Sequence, residues 1–123
     1  MVGFIVNSKE CYAGKHLLID LFDCKNTEEN LEEINMIMVE AAKATGATVL
    51  FSHCHPFDGG GSSGVVILAE SHITFHRWHE ENFLAVDIFV CGDCDPYLAV
   101  PYLENYFLPS HTEIKMEKRG VFK

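Results

Sequence analysis

The chain has 123 residues, 48% of them hydrophobic, which suits a single domain that buries one core and leaves room for an oligomer interface. A formal net charge of −9 argues against nucleic acid and anionic membrane as partners, because phosphate binding relies on clustered Lys and Arg. No run reaches the roughly 20 apolar residues that span a bilayer, Met1 to Val6 is too short for a signal-peptide core, and five irregularly spaced cysteines read as thiols of a reducing compartment, so a cytoplasmic protein is expected.

In chain order, His16 to Phe22 is rich in Leu and Ile and predicts a first strand after a Gly14 turn; residues 1 to 14 give no clear signal. Asn26 with acidic residues after it predicts a helix N-cap, and Leu31, Ile34, Ile37 or Met38, and Ala41 form the apolar face of a helix that Gly46 terminates. Thr48 to His53 predicts a second strand, Pro56 to Gly64 a glycine-rich loop, and Val65 to Ala69 a third strand. Two more strands, Ile73 to Trp78 and Phe83 to Cys91, flank the polar turn His79-Glu80-Glu81-Asn82. Asp95-Pro96 then starts a second helix towards Phe107, with Pro101 kinking or shortening it and Pro109 ending it before a last strand at Glu113 to Glu117.

This order predicts an α+β fold, a two-layer sandwich with two helices on one face of a mainly antiparallel sheet. Val65 to Leu68, Ile88 and Val90 supply more apolar strand positions than one helix layer buries, so a homodimer packed sheet to sheet is expected.

The chemistry concentrates in Ala69-Glu70-Ser71-His72-Ile73-Thr74-Phe75-His76 and Asp87-Ile88-Phe89-Val90-Cys91-Gly92, which gather serine, histidine and thiol in one hairpin. A turn centred on Glu81 would set Ser71 opposite Cys91. His76, five residues on, then points to the other face unless the strand bends near Ser71. Other arrangements of these residues are less complete. A Ser71, His76, Asp87 triad lacks a Gly-x-Ser-x-Gly elbow, and Cys91-Gly92-Asp93-Cys94 has redox-motif spacing without its usual context. His53, Cys54, His55, His72 and His76 match no zinc signature, so no metal is expected.

Residues 14 to 119 resemble the prokaryotic pyruvoyl-dependent S-adenosylmethionine decarboxylases. The likeness is strongest from Ser63 to His76, with support from Gly46-Ala47-Thr48 and from Ala85 to Gly92. The resemblance implies that Ser71 attacks the carbonyl of Glu70, that the ester eliminates to leave a pyruvoyl group, and that the single domain 1–123 is cut into 1–70 and 71–123. It implies that His76 assists maturation with support from Ser63, that Cys91 donates the proton in turnover, and that Phe57, Trp78 and Glu80 bind substrate, Phe57 against adenine and Glu80 at ribose. A ketone made from Ser71 would then serve as electron sink without pyridoxal phosphate or metal, and the product would feed spermidine synthesis. The chain departs from the family at Arg77-Trp78-His79-Glu80, where Thr-Trp-Pro-Glu is usual, and at Gly59-Gly60-Gly61. An arginine or ornithine decarboxylase on the same scaffold and a silent dimeric binding module are the alternatives.

Overall fold

A computed structural model describes residues 5–6 and 11–122; most of the short apolar start read from Met1 to Val6 lies outside them. The strands are β1 (Ile5–Val6), β2 (Cys11–Phe22), β3 (Val49–Pro56), β4 (Ser62–Leu68), β5 (Ser71–Trp78), β6 (Phe83–Cys91) and β7 (His111–Phe122), and the helices are α1 (Leu31–Ala44) and α2 (Val100–Phe107). All pairings are antiparallel, in the spatial order β3-β4-β5-β6-β2-β7, with β1 on the start of β2. The two helices cover one face of this sheet, as the α+β reading expected.

Strand alternation divides the sheet cleanly. Leu17, Ile19, Leu21, Val66, Leu68, Ile73, Phe75, Leu84, Val86, Ile88 and Val90 are buried with Ile34, Met38, Ala41, Leu103 and Phe107 of the helices in one core. The other face carries three rows read across the pairings. They are Phe51, Ile67, His72, Phe89 and His16; then His53, Val65, Thr74, Asp87 and Leu18; then His55, Ser63, His76, Ala85 and Asp20. Phe51 and Ile67 are exposed there.

Several boundaries differ from the sequence reading, each for a physical reason. The N-cap of α1 is Asn30, which accepts from the N–H of Glu33 at 3.1 Å, and not Asn26. Asn26 is committed elsewhere: its side chain accepts from the N–H of Glu28 and donates to the carbonyl of Tyr106 at 2.8 Å. The buried guanidinium of Arg77 donates to the carbonyls of Asn26 and Glu28, which holds 26–28 as an extended lead into the helix. Asp95 caps a 3₁₀ turn, Pro96–Ala99, and Pro101 falls at the second residue of α2, where its missing N–H costs no helical bond. β3 runs on to Pro56, and β7 extends far beyond the expected five residues because β2 pairs it along nearly its whole length.

The β5–β6 register also differs. Ser71 faces Val90, His76 faces Ala85 and Trp78 faces Phe83, so the hairpin is centred between Glu80 and Glu81 and Ser71 is not opposite Cys91. Asn82, at φ 49°, closes the four-residue turn with its N–H on the carbonyl of His79.

Candidate active site

Glu70 ends the tight turn that joins β4 to β5, and its surroundings hold it firmly. Its carboxylate accepts from the N–H of Thr48 at 2.8 Å, while the neighbouring Ala69 N–H donates to the carbonyl of Thr48. Its own carbonyl oxygen receives two donors from one residue, the backbone N–H and the thiol of Cys91, each at 3.2 Å. The register that separates Ser71 from Cys91 thus sets Cys91 on the peptide bond in front of Ser71. Two donors on one carbonyl oxygen polarise it and stabilise negative charge that develops there.

Ser71 has φ 148°, a positive value that L residues avoid. This rotation swings its Cβ nearly into eclipse with the Glu70 carbonyl carbon about the N–Cα bond, where the hydroxyl can reach that carbon through a five-membered ring. The distortion expected near Ser71 is therefore present, but its result differs from the expected convergence. The hydroxyl lies 3.5 Å from Nδ1 of His72, and His76 is elsewhere.

His76 is five residues further along β5, a span of ~16 Å at about 3.3 Å per residue. It lies across from Ser63 of β4, with Nδ1 3.4 Å from the Ser63 hydroxyl, and that hydroxyl donates to the carbonyl of Phe75. The Phe57 ring lies 5.3 Å from that of His76 between centroids, and the Trp78 ring 4.1 Å from it. Phe57, His76, Trp78 and Glu80 line one cavity of about 310 Å³. A second cavity, of about 450 Å³, lies at the opposite end of the β5–β6 pair against Glu70, Cys91 and Cys94. Within one chain, then, the predicted residues form two groups: Glu70, Ser71 and Cys91, and Ser63, His76, Phe57, Trp78 and Glu80.

Burial pushes the Cys54 thiol up to about 11 and raises that of Cys94, with the Glu70 carboxylate adding to the shift at Cys94. Both stay protonated at neutral pH. Among the described residues no group of three or more His, Cys, Asp or Glu is placed to hold a metal, and no helix is long and apolar enough to cross a membrane.

Sequence reasoning missed three contributors. Thr48 clamps Glu70, and its only signal was the Gly46-Ala47-Thr48 stretch within the family likeness. His72 neighbours the Ser71 hydroxyl, and Glu29 bonds both Gly61 and His79; spacing marked neither.

Comparison with known proteins gives the family. The profile of the S-adenosylmethionine decarboxylase family matches residues 15–120. S-adenosylmethionine decarboxylase proenzymes from Caldicellulosiruptor saccharolyticus and Thermodesulfovibrio yellowstonii are similar at 41% and 43% identity, covering 89% and 88% of this chain and 90% and 82% of theirs. The crystal structure of the adenosylmethionine decarboxylase from Aquifex aeolicus VF5 superposes with a TM-score of 0.78 at 32% identity, covering 89% of this chain and 92% of that one. With nearly the whole domain matched in sequence and in fold, the chain belongs to the S-adenosylmethionine decarboxylase family.

Proposed function

We propose that this protein is a proenzyme that cuts itself between Glu70 and Ser71 and then decarboxylates S-adenosylmethionine. The observation that carries the reading is the pair of Cys91 donors on the Glu70 carbonyl oxygen, set against a serine whose φ of 148° brings its Cβ round towards the same carbonyl. In cleavage, the Ser71 Oγ–C bond forms as the Glu70–Ser71 C–N bond breaks, and the hydroxyl proton passes to the released amine. Loss of the Ser71 Cα proton then expels the Glu70 carboxylate from Cβ. Water replaces the nitrogen as ammonia, leaving a pyruvoyl group at the front of 71–123.

The residues present fit that group. Its carbonyl would stand beside the Cys91 thiol and the cavity against Glu70. When present, such a ketone joined to the substrate amine takes up the electron pair left as carbon dioxide departs. Cys91 then supplies the proton to the substrate Cα.

The position of His76 calls for a second chain. Ser63 and His76 sit too far along the sheet to serve Ser71 of their own protomer, and both belong to the open face that exposes Phe51, Ile67 and Trp78. Two protomers packed through these faces would cover that apolar surface. A two-fold axis would turn the Ser63–His76 end of one sheet onto the Ser71–Cys91 end of the other, so that His76 of the partner subunit moves the processing proton. The same packing carries the Phe57–Glu80 cavity to the pyruvoyl group across the interface. We place the enzyme in the cytoplasm, with spermidine synthesis as the consumer of its product.

Purified protein offered S-adenosylmethionine, arginine and ornithine in parallel tests the substrate. Carbon dioxide release from S-adenosylmethionine alone is expected, and release from arginine or ornithine instead would reassign it.

A further inference from the structure

Glu29 stands where three elements meet, and the cleavage chemistry does not use it. Its Oε1 accepts from the backbone N–H of Gly61 at 3.0 Å and pairs with Nδ1 of His79 at 2.5 Å. Gly61 closes the loop that carries Phe57, since the Phe57 N–H donates to the Gly61 carbonyl at 3.1 Å and the Gly60 N–H donates to the Phe57 carbonyl. His79 opens the β5–β6 turn and immediately precedes Glu80. One carboxylate oxygen therefore ties together two walls of the 310 Å³ cavity, with Phe57 on one and Glu80 on the other.

The backbone is fitted to this clasp from both sides. Arg77 holds the carbonyls of Asn26 and Glu28, which fixes the segment that presents Glu29. Gly60 is at φ 105°, and a Cβ there would stand 2.9 Å from the His79 ring; Gly61 is at φ 88°, and a Cβ there would meet the Arg77 carbonyl oxygen at 2.6 Å. The two departures noted in the sequence, the glycine triplet and His79, are thus one feature, because the ring takes up the room that the missing Cβ leaves.

We propose that Glu29, acting through Gly61 and His79, is a positioning residue that sets the geometry of this cavity and hence the affinity for S-adenosylmethionine. The proposal rests on reading the cavity as the substrate site. With the clasp broken, the Phe57 loop and the Glu80 turn move independently, and binding must order them. Such a cost falls on bound substrate and transition state alike, so KM rises while kcat holds.

The test uses the processed protein and follows KM, kcat and the extent of self-cleavage. Glu29→Ala should raise KM for S-adenosylmethionine about tenfold, as loss of a charge-assisted hydrogen bond predicts, with kcat and cleavage unchanged. Glu29→Gln keeps an acceptor for Gly61 and should recover most of the affinity, and adding His79→Ala to Glu29→Ala should cost nothing more. An unchanged KM in Glu29→Ala, with KM raised in Glu80→Ala, would overturn the clasp and leave the cavity assignment standing. Unchanged KM in both variants would overturn both. A parallel fall of kcat and cleavage in Glu29→Ala would reduce Glu29 to a general folding role and also overturn the proposal.

Discussion

Cys91 and Glu70 are joined twice, by a backbone N–H and by a thiol that both reach one carbonyl oxygen at 3.2 Å. Because the N–H survives in Cys91→Ala, that variant should still cleave, but about 100-fold more slowly for want of one donor. Its turnover should fall by about 100-fold or more, the usual worth of a positioned acid. Cα would then more often go unprotonated while the cofactor carbon takes the proton, so a fraction of chain 71–123 should come to start with alanine. Product formation and the mass of that chain after long incubation measure both effects, and parent-like turnover would make the thiol a packing residue only.

Ser71 gives a second expectation, because its φ of 148° is strained for any residue with a Cβ. Ser71→Ala and Ser71→Gly should both remain uncut, having no hydroxyl to attack. Glycine relieves the strain and alanine does not, so Ser71→Gly should be the more stable of the two by about 1 kcal/mol, provided its gain in unfolded-chain entropy is smaller than the strain. Denaturant midpoints of the two variants check this, and a more stable alanine variant would show that the strain at Ser71 is smaller than the entropy glycine adds to the unfolded chain.

A third expectation concerns His76, which meets Ser63 and not the Ser71 of its own strand. His76→Ala alone should mature slowly or not at all, and Ser71→Ala alone never. Co-expressed, the two should form mixed dimers in which the His76→Ala chain is cut with the help of His76 of the partner subunit. Rescue limited to the His76→Ala chain is the predicted pattern on a denaturing gel. Absence of rescue in verified mixed dimers would confine the chemistry to one protomer.

The helix faces were plain in the sequence because Ile34, Met38 and Ala41 repeat at helical spacing over a full-length helix. The β6 boundaries were equally plain, since Phe83 to Cys91 is a nearly unbroken apolar and β-branched run that starts straight after the polar turn His79-Glu80-Glu81-Asn82 and ends at Gly92. What escaped depended on contacts distant in sequence. Asn26 looks like a cap until Arg77, far along the chain, is seen holding its carbonyl. The hairpin register turned on half a residue in the turn centre, decided by Asn82 at φ 49°, and that small shift moved Cys91 from Ser71 to Glu70. The site residues themselves were legible as a set through the family likeness, but their division into two groups was not, because motif order carries no distance.

The raised thiols supply a fourth expectation. With its pKa pushed up to about 11 by burial, Cys54 holds about 100-fold less thiolate at neutral pH than an ordinary thiol at 9.0, and alkylation requires thiolate. Its labelling by iodoacetamide should be slow at pH 7.5 and climb until the pH passes about 11. Burial and the Glu70 carboxylate shift Cys94 in the same direction, and Cys94→Ala should leave cleavage and turnover nearly intact. Loss of activity equal to that of Cys91→Ala would instead favour a paired-cysteine redox role.

Above all, the bond between Glu70 and Ser71 is expected to break by the action of this protein's own residues, with no other protein needed. Intact-chain mass spectrometry of the purified protein, with and without Ser71→Ala, tests it most directly. The account predicts two masses, for 1–70 and for 71–123 opening on a pyruvoyl group, which separate only on denaturation because β4–β5, β2–β6 and β2–β7 pairing spans the cut. It predicts a single uncut mass for Ser71→Ala. A parent protein that stays whole, or a Ser71→Ala variant cut at the same bond, would contradict it.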